Sequence, residues 1–475
     1  MSETHRSAMF SAKLAAILAV TVIPHAVARA QQTQLSDAPS TQLFAAALLP
    51  QSAPQAATPG APQSSASSAG PSLTLAQAEQ MAIRNNPNVS VARLLALAQA
   101  QVTREVRSAE MPIATGNLTA VDTHENSRIT AGLLNNPSVY DRAAGGLTVS
   151  QLITDFGRTH NLVRSSQSNT KAQLQNERAT ELDITLTVDQ AFYQALTSRA
   201  VLKVAEATVN QRQATVDQVG ALTKEKLRSD LDLSFADVQL SQAKLLLLDA
   251  RNDAADAMAS LNAVLGSERD EQYTLVDETT ANPEPAPQDA EALLQTAFAA
   301  RPDLAALNYS YTAARQFSSA EHDLWMPTVS ALAAVGGTPV RADQIQSSWY
   351  GAAGANISIP VFNGFLYNAR AREAKLRADA AGGQVRSLRD VIARDLRIAV
   401  LNAQNAFQRI GVTQKMLNES NMALDLSAER YKIGLSGIVE LTQAQLAQTQ
   451  AEIDYANARY AYQTALAVVR FQTGQ

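Results

Sequence analysis

The sequence predicts a mostly α-helical chain in which one half-domain occurs twice. Each copy combines long coiled-coil-like helices with two short β-strands of the kind found in membrane barrels. A set of short motifs recurs in the same order after about 210 residues. Very long stretches lack proline, which favours uninterrupted helices. Short runs of alternating apolar and polar residues, bounded by Gly and Pro, are typical of strands.

The internal repeat is visible in four pairs of motifs that are separated by 207 to 215 residues. The pairs are Asn86-Pro87 with Arg301-Pro302, Met111-Pro112 with Met326-Pro327, 155–157 with 362–364, and 227–233 with 435–441. This period far exceeds that of solenoid repeats, so it indicates duplication of a whole half-domain. We expect a first repeat at 72–280, a proline-rich join at 281–288 and a second repeat at 289–475.

The first 30 residues contain the three parts of a secretory signal peptide. A basic start precedes the apolar run 14–23 and the small-residue site Ala28-Arg29-Ala30. That run is shorter than the ~20 residues of a membrane-spanning helix, and a buried N-terminal helix is the alternative. Residues 31–71 are rich in Gln, Ala, Ser and Pro, so we expect a disordered leader. The chain is therefore predicted to be exported.

The order of elements is the same in both halves. An amphipathic helix interrupted by proline comes first, then two alternating stretches on either side of a polar loop, then a long helical region. The helix, the loop and the second alternating stretch are expected at 73–109, 124–146 and 147–152, and again at 289–325, 336–348 and 357–362. The strands are only weakly apolar, as in barrels whose strands face lipid on one side and a polar lumen on the other.

The long helices have no internal proline, because none occurs between residues 138 and 282 or after Pro360. The last helix contains three heptad rows: Ala444, Ala451, Ala458 and Ala465; Leu446, Ile453, Tyr460 and Ala467; and Tyr455, Tyr462 and Val469. Parallel heptad rows are typical of coiled-coil-like helices that meet more than one neighbour.

The composition excludes several classes of function. The chain has 39 Lys and Arg against 44 Asp and Glu, and this net charge of −5 argues against a nucleic-acid partner. Cysteine is absent and the five histidines are scattered, which excludes thiolate metal sites and thiol nucleophiles. Walker, H-E-x-x-H and G-x-S-x-G motifs are also missing. We therefore expect no enzyme activity, no cofactor and no metal site.

Four short strands cannot cross a bilayer alone, because an open sheet leaves unpaired backbone groups in hydrocarbon. The smallest known barrels have about eight strands. Several identical chains that contribute four strands each would close a barrel, and the helices would continue its wall as a tube. This argument does not determine the number of chains.

Several local motifs accompany the duplicated plan: Asn86-Pro87, Asp155-Phe156-Gly157-Arg158, Tyr431-x-x-Gly434, Ile438-Val439-Glu440-Leu441, and an Ala/Gln-rich last helix. With this plan the chain resembles the TolC family of outer-membrane efflux proteins over residues 72–472. The resemblance implies a homotrimer in the cell outer membrane, whose twelve-stranded barrel is continued by an α-helical tunnel in the periplasm. It also implies docking to a periplasmic adaptor (a membrane fusion protein) and to an inner-membrane pump that supplies the energy.

The resemblance therefore implies a passive exit duct of a tripartite efflux or type I secretion system, which would carry small molecules or proteins to the exterior. The alternatives are a periplasmic adaptor and a purely structural coiled-coil protein. An adaptor has one helical hairpin flanked by small β modules, whereas this sequence predicts two hairpins.

The resemblance places the narrow periplasmic end of the tunnel at the tips of the long helices. By motif match, inward-facing acids fall at Asp232 and Glu440, and Tyr431 is a contact that restrains the tip. Gln443 stands where the family has a second acid, and Ser436 where some members have a restraining arginine. Three copies of a carboxylate around one axis would form a negative ring that favours cations. The alternative is that both acids are solvated charges on the helix surface.

The tips are also the candidate contacts for the adaptor, and the residues assigned to them are Leu227, Gly434, Leu435 and Gly437. The leucines would be exposed apolar groups that need a partner, and packing within the tip is the alternative. The glycines bracket a turn that needs a residue free to take a positive φ. The first copy has Lys226 and Ser229 at these places, so we expect its turn to differ.

Overall fold

A computed structural model of the chain describes residues 71–122, 142–267, 269, 271–279, 283–340 and 347–475. The expected signal peptide (1–30) lies outside these residues, as do nearly all of the leader and parts of the join and the two loops. The described residues form eight α-helices and six strands: β1 (Ser72–Leu73), α1 (Leu75–Asn85), α2 (Pro87–Arg107), β2 (Ile113–Val121), β3 (Arg142–Thr154), α3 (Arg158–Lys224), α4 (Asp230–Val264), β4 (Thr274–Leu275), α5 (Ala290–Ala300), α6 (Pro302–His322), β5 (Thr328–Val340), β6 (Trp349–Ser358), α7 (Leu366–Lys432) and α8 (Ile438–Thr473).

The helices of the two halves have matching lengths. There are 11 residues in α1 and α5, 21 in α2 and α6, 67 in α3 and α7, and 35 and 36 in α4 and α8. A helix of 67 residues reaches about 100 Å at 1.5 Å per residue. The predicted fold class, a mostly helical chain with few strands, is confirmed.

Proline separates the short helices as expected. Pro87 and Pro302 begin α2 and α6, where an N–H is not needed and the fixed φ favours a helix. Asn86 occupies the first break: its Oδ1 accepts the N–H of Asn88 at 2.9 Å, and its Nδ2 donates to the Val264 carbonyl at 3.3 Å. The break therefore caps α2 and also holds the end of α4.

The long helices pair into two hairpins, α3 with α4 and α7 with α8, and α3 packs against α8. Small residues at heptad spacing are buried in these contacts: Ala236, Ala243, Ala250 and Ala257 on α4, and Ala451 and Ala458 on α8. Small side chains allow close approach of the backbones. Leu446, expected in a heptad row, is 60% exposed. A straight helix drifts about 20° per heptad, so this row leaves the interface near the tip.

Three apolar clusters hold the helices together. The first surrounds Phe192 and Leu261 on α3 and α4, beside the parallel pair of β1 and β4, which the sequence did not predict. The second surrounds Ile392 and Tyr462 on α7 and α8. The third lies at the hairpin tips and contains Tyr431. Burial of each large apolar side chain stabilises the fold by about 1.5–3 kcal/mol.

Four strands form one antiparallel sheet in the order β2-β3-β5-β6. The strands β3 and β5 are longer than the sequence predicts, since they extend into the segments 124–146 and 336–348 that it assigns to loops. The glycines that suggested a loop serve a different purpose. The Tyr350 ring lies on the sheet so close to Gly146 and Gly336 that a Cβ at either position would overlap it.

The sheet has two chemically different faces, because residues paired across strands point to the same side. The apolar face carries Leu118, Leu147, Val149, Val329, Val335 and Ile357 with Ala and Gly between them. The polar face carries Thr115, Asn117, Thr119, Thr148, Ser150, Ser330, Asn356 and Ser358, together with Tyr350 and the apolar Ile113, Leu152 and Leu332. Gln151 falls on the apolar face, where its Nε2 donates to the Glu110 carbonyl at 2.9 Å.

The backbone is left-handed at both junctions between the sheet and a long helix. Phe156 and Gly157 have φ of 55° and 113°, and Gly364 and Phe365 have φ of 62° and 66°. This conformation costs about 1–2 kcal/mol for a residue other than glycine. Asp155 secures the first turn, since its carboxylate accepts the N–H of Gly157 at 3.3 Å and that of Thr159 at 2.7 Å.

Candidate functional site

The candidate aperture lies at the two hairpin tips, in turns 225–229 and 433–437. Both α3 and α7 end in a Schellman motif, in which two N–H groups beyond the helix bond to carbonyls of its last turn. In the first turn, the N–H of Lys226 donates to the Thr223 carbonyl at 2.9 Å and that of Leu227 to the Leu222 carbonyl at 2.9 Å. In the second turn, the N–H of Gly434 donates to the Tyr431 carbonyl at 3.1 Å and that of Leu435 to the Arg430 carbonyl at 2.8 Å. The two turns therefore have the same hydrogen-bond pattern.

The expectation that the first turn would differ is wrong. Lys226 takes φ of 58°, close to the 78° of Gly434, because the Schellman bonds impose this conformation on whichever residue stands there. Gly437 has φ of −89° and precedes α8 in extended backbone, which any residue can adopt. Of the two glycines, Gly434 therefore stands where glycine is favoured, and Gly437 does not.

Substitutions at the turns should change stability in opposite directions. Lys226→Gly should raise the free energy of unfolding by about 1 kcal/mol because it relieves the left-handed strain, and Gly434→Ala should lower it by a similar amount. Thermal unfolding followed by circular dichroism in detergent measures both. Gly437→Ala is the matched control and should change little. Equal effects at Gly434 and Gly437 would contradict this account of the turn.

Tyr431 joins the two tips. Its side chain is 2% exposed and packs in the third cluster with Val219 and Ala236 of the first hairpin. The Arg228 guanidinium lies over its ring, 4.3 Å from the centroid, and Arg228 Nη2 donates to the Tyr431 carbonyl at 2.8 Å. Such a cation–π contact contributes about 0.5–2 kcal/mol. Sequence reasoning missed Arg228, because a basic residue in a turn has the pattern of a solvated charge.

The hydroxyl of Tyr431 contributes less than its ring. Burial raises the pKa of this hydroxyl, the Arg228 charge lowers it and the Asp232 charge raises it further, so the group is neutral near pH 7. Its oxygen is buried, and no described residue is in hydrogen-bonding contact with it. The ring and the main chain, rather than the hydroxyl, hold the tip.

The two acids assigned to the aperture lie in different settings. Asp232 forms a capping box with Ser229: the Ser229 N–H donates to Asp232 Oδ2 at 3.3 Å, and Ser229 Oγ accepts the Asp232 N–H at 3.2 Å. Glu440 forms an ion pair with Arg430 across the second turn, with 3.2 Å between Oε1 and Nε. Gln443 is exposed. The Glu440 charge is thus partly balanced within its own chain.

The apolar tips are the four side chains Leu227, Leu231, Ile433 and Leu435, which are between 64% and 70% exposed. A residue at the Leu227 or Leu435 position of a Schellman motif often packs back onto its own helix. Here both leucines extend into solvent instead.

A buried polar layer lies above the tips, between α3 and α8. Arg212 is 3% exposed and donates to Gln445 Oε1, while Gln445 Nε2 donates to Thr215 Oγ1 at 3.1 Å. Burial lowers the pKa of Arg212 to about 10, so the guanidinium stays charged at neutral pH. Buried polar contacts of this kind fix the register of packed helices.

Within the part of the chain that the structure describes, no group of three or more His, Asp or Glu residues could hold a metal ion. In the same residues, no helix has the length and apolar character needed to span a membrane.

Comparison with known proteins identifies the chain. The family model described as "Outer membrane efflux protein" matches residues 78–267 and 293–475, which is more than half of the sequence. The chain belongs to the outer membrane efflux protein family. This membership confirms the resemblance inferred from the motifs, and with it the outer membrane as location and efflux as the general function.

Outer membrane protein TolC of Salmonella enteritidis is 24% identical over 413 residues, which cover 82% of this chain and 80% of TolC. Cation efflux system protein CusC of Escherichia coli (strain K12) is 20% identical over 346 residues, which cover 69% of this chain and 73% of CusC. A CusC structure aligns with a TM-score of 0.72 and 19% identity, covering 84% of this chain and 92% of CusC. The outer-membrane channel OprN aligns with a TM-score of 0.71 and 20% identity, covering 84% and 89%. The structural likeness shows a common fold.

The structure of this outer membrane efflux protein brings some of the predicted site residues together. Tyr431 packs in the same cluster as Leu441, Ile438 and the first hairpin, and Glu440 lies in the first turn of α8 beside Arg430. The leucines and glycines assigned to the tips occupy the two turns. The roles of Asp232, Tyr431, Glu440 and Gln443 in an aperture remain predictions.

Proposed function

We propose that three copies of this outer membrane efflux protein form a passive exit duct. The observation that carries this proposal is a two-faced sheet with two open edges. β2 and β6 are edge strands with no further strand partner among the described residues. Their free backbone groups would be unpaired in hydrocarbon. Direction alternates along the sheet, so β6 of one copy and β2 of the next run antiparallel and can continue it without a break.

The apolar and polar faces of the sheet are those expected of a membrane barrel with a water-filled lumen. Three copies supply twelve strands, which exceeds the eight of the smallest barrels. β3 and β5 have 13 residues each, more than the ~9–11 that a tilted strand needs to cross the bilayer. The apolar face would meet lipid, and the Thr, Ser and Asn side chains of the polar face would line the lumen.

We further propose that the duct serves a tripartite efflux or type I secretion system, in which an inner-membrane pump supplies the energy. CusC is named for cation efflux, which supports a role in efflux of small solutes. The apolar tips are the surface that fits a periplasmic adaptor. Three copies would present them in a ring at the far end of the helices, and exposed apolar groups of this kind need a partner.

The experiment that tests the duct is cell fractionation, followed by the mass of the detergent-solubilised protein. We expect recovery in the outer membrane as a species of three chain masses. Pairs of cysteines introduced on β2 and β6 should link chains into trimers, and the absence of native cysteine makes such links unambiguous. A soluble periplasmic monomer would overturn the duct and leave an adaptor or a coiled-coil scaffold.

We infer that Asp232 and Glu440 line the constriction and that the contact between Arg228 and Tyr431 holds the tips closed. Glu440→Gln should shift the reversal potential in a salt gradient towards anions, because Arg430 then loses its counter-charge. Arg430→Gln should shift the potential towards cations. Asp232→Asn should act like Glu440→Gln while keeping an oxygen for the capping box.

Planar-bilayer recordings of the purified trimer measure these shifts. The two members of one ion pair provide a matched comparison, because both substitutions break the pair and only the sign of the remaining charge differs. Shifts in the same direction, or none, would show that Glu440 and Asp232 are charges on the outer surface of the helices.

A further inference from the structure

A tyrosine lies flat on the polar face of the sheet. Tyr350 is the second residue of β6 and pairs with Gly336 on β5, which in turn pairs with Gly146 on β3. A Cβ added at Gly336 would lie 2.5 Å from Tyr350 Cζ, and one added at Gly146 would lie 3.2 Å from the same atom. Side chains in a sheet generally stand perpendicular to it. The Tyr350 side chain instead extends along the sheet over two neighbouring strands.

The two glycines make room for this ring. Glycine weakens a strand, because it loses more conformational freedom on folding than other residues and has no side chain to pack. Two glycines aligned under one ring therefore indicate that the flat position of the ring has a use. Tyr350 is 42% exposed, so the side of the ring that faces away from the glycines is open. A flat ring offers its face to passing solutes without narrowing the lumen.

The neighbours of the ring on the polar face are uncharged. Asn117 on β2 pairs with Gly146, and Thr115 pairs with Thr148 at the next position towards the helices. Among the residues of the four strands, only Arg142 is charged. It lies four residues from Gly146, which is about 13 Å along β3. The ring therefore has no close cationic neighbour within the strands.

We propose that Tyr350 is a stacking site for planar aromatic cations in the lumen. The face of a tyrosine ring is electrostatically negative, so it attracts cations and stacks with electron-poor aromatic rings. This inference rests on the proposed function, because it needs the polar face to line the lumen. Tyr350 lies at the end of the sheet that is remote from the helices, so three copies would place three such sites at one level near the outer mouth.

Equilibrium binding of proflavine, a fluorescent planar aromatic cation, tests the site. The detergent-solubilised full-length protein is titrated into the dye and the fluorescence anisotropy is measured, so the result does not depend on whether the tips are open. We expect Tyr350→Leu to raise the dissociation constant about three- to tenfold, because leucine still covers the glycines but has no π face. Tyr350→Phe keeps the ring and should change the dissociation constant less than about twofold.

The controls separate stacking from a purely structural role of the ring. Trp349→Leu is the matched control, since it removes the neighbouring aromatic side chain from the apolar face of the same strand, and it should leave the dissociation constant unchanged. The alternative role of Tyr350 is to cover the glycines and stabilise the strands. A Tyr350→Leu protein that has a lower melting temperature but binds proflavine as tightly as before would overturn the site. Tyr350→Met is the second variant without a ring, for use if Tyr350→Leu does not fold.

A single tryptophan at the site separates failure of the site from failure of the duct. The chain has two tryptophans, so a protein with Trp325→Phe, Trp349→Phe and Tyr350→Trp has its one reporter on the polar face. In phospholipid vesicles we expect aqueous iodide to quench this reporter and brominated acyl chains not to quench it. Quenching by the brominated chains would show that the polar face meets lipid, and the site and the proposed function would both fail. Quenching by iodide, together with proflavine binding that does not depend on Tyr350, would overturn the site alone.

Discussion

Leu147→Arg should prevent assembly of the proposed trimer in the outer membrane, whereas Thr148→Arg should permit it. The two residues are neighbours near the middle of β3 and belong to opposite faces of the sheet. An arginine on the lipid side of a barrel costs about 2–4 kcal/mol at the midplane of the bilayer. Each trimer would contain three copies, so the total penalty is about 6–12 kcal/mol. An arginine on the lumen side stays in water.

The measurement is the fraction of expressed protein that is recovered from the outer membrane with the mass of the proposed trimer. Thr148→Arg is the matched control because it introduces the same side chain one residue away. Loss of assembly for Thr148→Arg alone would mean that the two faces are exchanged. Equal tolerance of both substitutions would mean that the sheet does not contact lipid.

Asp189→Asn should stabilise the fold at neutral and alkaline pH. Asp189 is 4% exposed on α3, and its Oδ2 lies 3.7 Å from Arg470 Nη2 on α8. Burial, together with a hydrogen bond and repulsion from Glu79 on α1, raises the pKa of Asp189 to about 7, and the Arg470 charge opposes this increase. Tyr193, one turn along α3, belongs to the same group, and burial also raises its pKa.

The sign of the pH dependence follows from proton binding. Between about pH 4 and pH 7 the folded chain binds a proton at Asp189 that the unfolded chain has released, so stability falls as the pH rises through this range. A pKa increase of about three units corresponds to at most about 4 kcal/mol. Asn has a similar shape and cannot ionise. The increase in the free energy of unfolding caused by Asp189→Asn should therefore be large near pH 8 and small near pH 5.

Thermal unfolding of the detergent-solubilised protein between pH 5 and pH 8 measures this effect. Asp277→Asn is the control with the opposite sign. Burial acts to raise the pKa of Asp277, but hydrogen bonds from Thr279 and Tyr460 and the Arg459 charge hold it below its usual value. Asp277→Asn should therefore lower the melting temperature by a similar amount at pH 5 and at pH 8, because the Asp277 carboxylate stays ionised throughout this range. A pH-independent change for Asp189→Asn would show that Asp189 is ionised throughout.

Much of the helical architecture could be predicted because its determinants are local. Proline interrupts a helix whatever its surroundings, as Pro87 and Pro302 do here. A stretch without proline can continue as one helix for 67 residues. The alanines at heptad spacing on α8 are buried because side-chain volume at seven-residue intervals determines how closely two helices approach. The sequence did not predict the extensions of β3 and β5, because a glycine that makes room for the Tyr350 ring in a strand cannot be told in the sequence from a glycine in a loop.

The details of the candidate site depended on contacts between distant residues. Arg228 and Tyr431 are separated by 203 positions, and only the packing of the two hairpins brings the guanidinium over the ring. Asp232 was assigned to the aperture by its match to the family motif, and its hydrogen bonds show that it caps a helix. A motif indicates which residue type stands at a position but not which partner its side chain finds.

The sequence by itself determined the family, the order of the elements, the breaks at proline and the location of the two tips, because these depend on backbone conformation and on apolar periodicity. Only the tertiary structure decided the two faces of the sheet, the partner of Tyr431, the ion pair of Glu440 and the buried position of Asp189. Each of these depends on strand register or helix packing, which places side chains from separate segments within a few ångströms of each other. The energies of such contacts depend on distance and burial, which the order of residues does not specify.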